Sequence, residues 1–422
     1  MITLAKKLLS AASGQPKLKA GDIVICDVDL AMIHDSGGPR RVKPILERLN
    51  RKVWDKNKIV VVTDHYVPAD SDETRAIQAL TKKWVKEQSI ENFYDEQGIC
   101  HIVLPERGHL TPGIFCVGGD SHSPTGGAFG AYMFGIGATE MAGVLATGSI
   151  WIQTPETILM SWKNQLPEFV TAKDMMLAMC GKIGMGGGRY QAIQYAGETI
   201  RSLPMQERMT LSNMAAELGA QVGLIAPDET TIEYVEAAGG KVPENWRDFQ
   251  IETAEEPSNI MYFDAANLSP QIAAPHSPAN ADDASEFRNI RFDVAYIGAC
   301  TGAKYIDLVA AAKVLKGRHI AEGVTLKVAP ASLLDQNRAK EDGIMQVLQD
   351  AGAEFLSNSC GICAGYGEDR LGENQVCISS TARNFKGRMG AQTSSVYLAS
   401  PYTVAASAVT GTLTDPRLVM GE

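Results

Sequence analysis

GGDSHSPTGGAFGAYMFGIGATEMAGVLATG, residues 118–148, is the stretch on which the reading of the fold turns. Just before it, Ile114–Val117 is a short unbroken apolar run, the pattern of a strand buried on both faces. Asp120-Ser121-His122 follow the end of that strand, and Thr139–Thr147 carries helical apolar spacing. A strand, then ionisable residues, then glycines and a helix make an α/β unit. Such units collect ligands at the carboxyl ends of parallel strands.

The same order recurs on both sides. KIVVVT (Lys58–Thr63) runs into Asp64-His65, and Ile102–Leu104 reads as a further strand with His101 at its head. Leu211–Gly219 has helical spacing, with Thr210 or Ser212 as its cap. Residues 255–287, rich in Pro, Ala, Asn and Asp and without periodicity, read as an extended connection. The strand–helix rhythm then resumes: FDVAYIGA, a helix through Leu308–Leu315, VTLKVAP, a helix reaching about Leu348, AEFLSNS and QVCISST. The expectation is an α/β chain of several domains with mostly parallel sheets, divided into residues 1–285 and 286–422.

With 422 residues, 45% hydrophobic and 21% charged, the chain can bury a sizeable core. A net charge of −10 argues against general nucleic-acid binding, which needs clustered Lys and Arg. It leaves room for an anionic small molecule, because a site needs only a few local cations. No apolar stretch is long and unbroken enough to cross a membrane. The start, MITLAKKLLSAASG, lacks Arg and an apolar targeting core and reads as a short amphipathic helix. Eight cysteines behind such a start point to a reducing compartment, with a cytoplasmic location expected.

Five cysteines (Cys26, Cys100, Cys116, Cys180 and Cys377) lie in apolar runs, where core packing is the better reading. Cys300 ends a strand in YIGACTG, and Cys360 and Cys363 form SNSCGICAG after another. A lone C-x-x-C fits a redox pair, half a zinc site or a cluster clamp. There is no second C-x-x-C and no His-x-x-x-His. Three thiolates at strand ends suit a [4Fe–4S] cluster whose fourth iron has no Cys, as against structural thiols.

Three of the seven histidines, His65, His101 and His122, sit at strand ends, His65 and His122 close behind an Asp. For one such His a structural role is the commoner one, yet an imidazole backed by a carboxylate is also a good acid for a departing hydroxide. GIGATE (Gly135–Glu140) has Glu140 where a dinucleotide fingerprint needs its third glycine. GKIGMGGGRY (Gly181–Tyr190) lacks the ending of a phosphate loop. Both read as turns and close-packing sites.

Taken together, these segments resemble the aconitase superfamily, specifically its large subunits of the 3-isopropylmalate dehydratase and homoaconitase type. The 118–148 stretch is similar to the family's DSH signature, IGACTGAKYIDLVAAAKVLKG to its first cluster-cysteine segment and SNSCGICAGYG to its second. SSTARNFKGRMG, VYLASPYTVAASAVTGTL, TDHYVPA and SNMAAELGA extend the resemblance over nearly the whole chain. It implies Cys300, Cys360 and Cys363 as cluster ligands. It implies Asp64-His65, His101 with Asp120, and His122 with Glu217 as paired acids. Ser121 and His34 would touch the substrate, and Arg383 and Arg388 would hold its carboxylates through their planar forks.

The chain departs from the family pattern in places. Gly302, Ala303 and Lys304 replace Asn, Gly and Arg; Ala382 replaces Asn; Asp35-Ser36-Gly37-Gly38-Pro39 replaces E-V-T-S-P. No segment resembles the small domain that carries the proton-abstracting Ser, so a separate small subunit is expected. The activity implied is dehydration and isomerisation of a small hydroxy-dicarboxylic acid of the 3-isopropylmalate kind. Homoaconitase or a methyl- or dimethylmalate dehydratase are the alternatives within that class. A cluster-free nucleic-acid-binding regulator and a purely structural or electron-transfer iron–sulfur protein are alternatives outside it. The acidic balance weighs against the regulator, and the three-thiolate count against electron transfer.

Overall fold

Met32, Val60 and Val62 turn to one side of a sheet, and Ile33, Ile59 and Val61 to the other, and all six are buried. Two-sided burial is why these strands read as unbroken apolar runs, and each such side chain contributes about 1.5–3 kcal/mol. The computed structural model describes residues 3–251 and 259–421. A ribbon of β1 (Ile23–Asp27) and β7 (Ser149–Gln153) is antiparallel. Strands β2 (Leu30–His34), β3 (Ile59–Thr63), β4 (Phe93–Asp95), β5 (Phe115–Gly118) and β6 (Tyr132–Gly135) form an all-parallel sheet in the order β4-β3-β2-β5-β6.

A second parallel sheet joins β8 (Thr157–Lys163), β9 (Ala192–Ala196), β10 (Val222–Ile225) and β11 (Asn259–Asp264) in the order β10-β9-β8-β11. The third holds β12 (Gln271–Ala273), β13 (Ala281–Asp283), β14 (Val294–Ile297), β15 (Thr325–Val328), β16 (Glu354–Phe355), β17 (Val376–Ser379) and β18 (Ser395–Ala399). Its order is β13-β12-β18-β17-β14-β15-β16, with the stretch from β18 to β16 parallel. The expected mostly parallel α/β architecture is what the chain adopts. Met32, Val60 and Val62 share one core with Ala295, Ile297 and Val328, so the first and third sheets pack through common apolar side chains.

In the first sheet the chain order reverses between β2 and β5, and in the third between β14 and β17. Reversals of this kind open a crevice at the carboxyl ends of the strands. His34 ends β2, Asp64 follows β3, and Asp120 lies two residues past β5. Cys300 follows β14 and Arg383 follows β17. The two crevices therefore bring the acid-bearing and cysteine-bearing loops together.

Several local expectations are corrected. Ile102–Leu104 is no strand: it lies in a helix, Cys100–Glu106, and His101 stands in that helix's first turn. All three residues are buried, so apolarity does not alternate and periodicity cannot tell a short helix from a strand. Thr210 and Ser212 are inside a helix, Met205–Asn213, whose cap position is Pro204; the Thr210 hydroxyl instead accepts from Lys304 Nζ at 2.9 Å. The helix expected to reach Leu348 is two, Leu333–Glu341 and Ile344–Asp350, separated by Gly343 at φ 74°.

The stretch 255–287 is no extended connection where it is described. It supplies edge strand β11 and the short strands β12 and β13, whose few residues are too short to show a period. Its first residues, 255–258, lie outside the described part, as do Met1 and Ile2 of the expected amino-terminal helix; the described helix is Leu4–Ser13. No helix of the described residues is long and apolar enough to cross a membrane.

Candidate active site

A cleft of about 260 Å³ opens where the two crevices meet, lined by His34, His65, Asp120, Ser121, Tyr366 and Arg388 among others. The loop before Ser121 turns so tightly that a Cβ at Gly118 would lie 1.9 Å from Ser123 Oγ, so only glycine fits there.

Three imidazole–carboxylate pairs surround the cleft, those the resemblance implied. His65 Nδ1 lies 2.6 Å from Asp64 Oδ1, with both side chains buried. Burial disfavours either charge, but each partner's field and their shared hydrogen bond outweigh it. Asp64 falls to about 2 and His65 rises to about 10, with Asp120 and Asp35 adding to the rise. Asp64 Oδ2 also accepts the Cys100 N–H at 2.7 Å. His65 is therefore an imidazolium at neutral pH, able to give a proton.

His101 Nε2 lies 2.7 Å from Asp120 Oδ1, which also accepts the His122 backbone N–H at 2.8 Å. Against its burial, the His101 hydrogen bond and the neighbouring histidines hold Asp120 well below the usual carboxylate range. His122 Nε2 lies 3.1 Å from Glu217 Oε1, and Arg383 Nε donates to the same oxygen at 2.6 Å. Glu217 is buried, yet Arg383 first and His122 second keep it below its ordinary value. Its other oxygen, Oε2, is buried without a hydrogen-bond partner.

Arg383 Nη1 donates to Ser121 Oγ at 2.8 Å, so the guanidinium already braces two cleft groups. Arg388 lines the cleft, and its Nε is buried and unpartnered. Cationic forks of this kind suit carboxylates.

On the third-sheet side, Cys360 stands at the cap of a 3-10 turn, Gly361–Ala364, and Cys363 within it, with their sulfurs 3.7 Å apart. Burial first, and then Cys363 nearby, pushes the Cys300 thiol up to about 12. The Cys300 sulfur accepts Asn213 Nδ2 at 3.1 Å, and the Cys360 N–H donates to the Asp64 carbonyl at 2.8 Å, tying the cysteine turn to the acid loop. Gathered soft sulfur donors of this sort fit an iron–sulfur group. The remaining five cysteines are buried in the apolar cores.

The departures from the family pattern have local causes. A Cβ at Gly302 would meet the Ser380 side chain at 2.3 Å, which leaves no space for an amide side chain. Lys304, fully buried, pairs with Asp307 at 2.6 Å.

Two neighbours of the site escaped the sequence reading. Asn213 stands inside SNMAAELGA, where an uncharged amide in a helical stretch carries no signal of its own. Lys173, 1% exposed, donates to Thr301 Oγ1 at 3.3 Å and to the Ser380 carbonyl at 3.0 Å. Its only signal was a cation in the first turn of a largely apolar helix, Ala172–Ile183.

Comparison with known proteins gives a family match and a fold match. The model of the aconitase family (aconitate hydratase) matches residues 6–289 and 279–411. The chain is 45% identical over 416 residues to 3-isopropylmalate dehydratase large subunit 1 of Methanopyrus kandleri, covering 98% of this chain and 99% of that one. It is 39% identical over 428 residues to a probable methanogen homoaconitase large subunit of Methanothermobacter thermautotrophicus, covering 100% of this chain and 99% of the relative. The crystal structure of Thermococcus kodakaraensis aconitase X (holo-form) shares the fold, at TM-score 0.51 and 13% identity over 90% of this chain and 88% of that one.

Proposed function

This chain belongs to the aconitase family, and we propose that it is the large subunit of an iron–sulfur hydro-lyase that dehydrates and isomerises a hydroxy-dicarboxylic acid of the 3-isopropylmalate kind. The observation that carries this reading is the buried Asp64–His65 pair opening on the same cleft as Ser121 and Arg388. The near full-length relatives named 3-isopropylmalate dehydratase large subunits support it.

Residues 1–285 bring the acids in this reading, and residues 286–422 bring the cysteines and arginines. Arg388 and Arg383 hold the substrate's carboxylates, with Ser121 and His34 setting their orientation. The His65 imidazolium protonates the departing hydroxide, and Asp64 keeps the ring charged and aimed. His101 with Asp120 and His122 with Glu217 act as further paired acids around the substrate, each ring held by its carboxylate. Cys300, Cys360 and Cys363 would hold a [4Fe–4S] cluster. When bound, such a cluster supplies a Lewis-acidic iron with an open position for oxygen ligands.

The relatives' names as large subunits support a separate small subunit, and we assign to it the base that removes the proton beside a carboxylate. A second reading, homoaconitase, draws on relatives that carry that name. The test is co-expression with candidate small subunits, anaerobic iron reconstitution and an activity screen over hydroxy diacids. Turnover of 3-isopropylmalate well above that of homocitrate supports the first reading, and the reverse order supports the second. Turnover of neither diacid by a fully reconstituted complex would sink both.

A further inference from the structure

Past Thr63 the ladder between β2 and β3 ends, and the next three backbone amides point into a buried region rather than to another strand. Unsatisfied buried N–H groups are costly, so something must accept from them. The acceptor is a single carboxylate. Asp35, 0% exposed, follows His34 at the end of β2. Its Oδ1 accepts from the N–H groups of His65 at 3.1 Å and Asp64 at 3.4 Å, and its Oδ2 from that of Tyr66 at 3.0 Å. Oδ1 also takes the Ser36 N–H at 3.1 Å. Consecutive amides wrapped about one anion form a concave nest, here filled from inside the protein.

We infer that Asp35 is a positioning residue for the acid of this site: its carboxylate seats the Asp64–His65–Tyr66 loop and so sets where the His65 ring stands in the cleft. The inference rests on the proposed role of His65 as acid. Asp35 does not line the cleft, whereas His34, Ser36 and Gly37 on either side of it do. It therefore acts through the loop and not on a substrate. Its Oδ1 also stands 3.9 Å from His65 Nδ1, beyond the 2.6 Å contact with Asp64, which sets a second carboxylate near the same ring nitrogen.

The other groups facing His65 are its loop neighbour Asp64, His34 stacked on the ring, Asp120 from the end of β5 and Tyr366 edge-on at 6.2 Å. Arg388 shares its cleft, and Cys363 lies in the field of the ring from the 3-10 turn. Asp35 differs from all of these in holding the backbone, so its loss displaces the ring as well as discharging its surroundings.

The test is Asp35→Asn, which keeps the size of the side chain, removes the charge and turns a donor toward one of the amides. In the reconstituted complex with its small subunit, kcat should fall about 10–100-fold, as when the support of a reacting group is removed, with KM nearly unchanged. The alkaline limb of the kcat/KM profile should move to lower pH. Independently of activity, ring-nitrogen NMR of the chain should show His65 losing its proton at lower pH than in the parent. That reading needs no substrate, so it stands whether or not the dehydratase assignment does.

A variant that loses melting temperature while kcat, the alkaline limb and the ring titration stay put would reduce Asp35 to a structural residue and overturn the inference. If Asp35→Asn does not fold, Asp35→Glu keeps the charge but lengthens a fully buried side chain, so the loop must move. It should lower kcat at constant KM. A kcat equal to the parent's would overturn the inference as well.

Discussion

His34 and His65 lie face to face, their ring centroids 4.1 Å apart and their planes 17° from parallel. Two stacked imidazoles cannot both hold a charge at that distance without severe repulsion. The surroundings decide which one is neutral. The Gly119 carbonyl, 3.1 Å from His34 Nε2, can only accept, and the Gly37 N–H at 3.4 Å donates to Nδ1. Burial and then the charge on His65 lower the His34 value, while Asp64 raises that of His65. The stack is thus a neutral ring under a charged one.

Ring-nitrogen NMR should accordingly find His34 as the Nε2–H tautomer, losing its second proton at lower pH than an ordinary His, which titrates between about pH 5 and 8. His65 should carry both protons over the same range. A His34 midpoint at or above that of an ordinary His, or a His65 midpoint below it, would contradict the assignment.

Asp64→Asn removes one partner of a buried ion pair, which costs about 3–5 kcal/mol and should lower the melting temperature clearly. The signs of the pH dependence follow from the two shifts. His65 is raised from 6.5 to about 10, so its contribution to stability is full below 6.5 and is lost as pH rises through about 10. Asp64 is lowered from 3.8 to about 2, so its contribution is present above 3.8 and lost as pH falls through about 2. In thermal melts across pH, the stability gap between parent and Asp64→Asn should be widest between those limits and close at either end. A gap independent of pH would show that the pair is not ionic.

The strands that carry these groups were legible because their sequences are simple: Ile59–Thr63 is apolar throughout and Asp64-His65 follows at once. Asp120, Ser121 and His122 could be read the same way. The partnership of Glu217 with Arg383, separated by 166 positions, could not, since no periodicity links residues that meet only in the folded chain; the family resemblance named both residues, but Glu217 as the partner of His122 and Arg383 as a substrate contact. His101 was read at the head of a strand and stands in a helix, because a seven-residue helix buried at all but its last residue has no polar face to betray it. Asp35 registered only as a departure from a motif. Its partners are backbone amides, which every residue has, so no side-chain pattern could announce it.

Anaerobic reconstitution should load about four irons per chain, the content of one [4Fe–4S] cluster. Cys363→Ser should cut that content sharply and bleach the cluster's absorbance, because its sulfur is the one 3.7 Å from Cys360. Cys116→Ser, in the apolar core, should change the iron content little. A full complement of iron in Cys363→Ser would falsify the ligand assignment.

Arg388→Lys keeps the charge but loses the planar fork. A charge-assisted hydrogen bond is worth about 1.5–3 kcal/mol, so substrate should bind roughly 10–150-fold more weakly. The melting temperature should move little, because the lysine keeps the charge that faces Cys363 and the Arg388 Nε makes no hydrogen bond that its loss would break. Isothermal titration with substrate and thermal melts of the same preparations separate the two effects. Unaltered binding with a large fall in melting temperature would make Arg388 a structural residue.

The last prediction concerns the base. Dehydration needs a group that takes a proton beside a carboxylate, and such a group must be free as well as close. The carboxylates around the cleft are committed: Asp64 to His65 and the Cys100 N–H, Asp120 to His101 and the His122 N–H, and Asp35 to its loop amides. Glu217 shares one oxygen between His122 and Arg383, and its fields hold it below the ordinary carboxylate value, which makes it a weak base. The Ser121 hydroxyl accepts from Arg383, which further lowers its tendency to take up a proton. The reconstituted chain alone should therefore be nearly inactive as a dehydratase, while its cluster forms normally because all three thiols are its own. Adding the small subunit should raise turnover by orders of magnitude, since it brings a positioned base and closes the cleft against water. Steady-state dehydration with and without the partner, at matched iron content, measures the difference. Full turnover by the isolated chain would mean that one of these committed groups is released when substrate binds, with Glu217 the first to examine through its unpartnered Oε2.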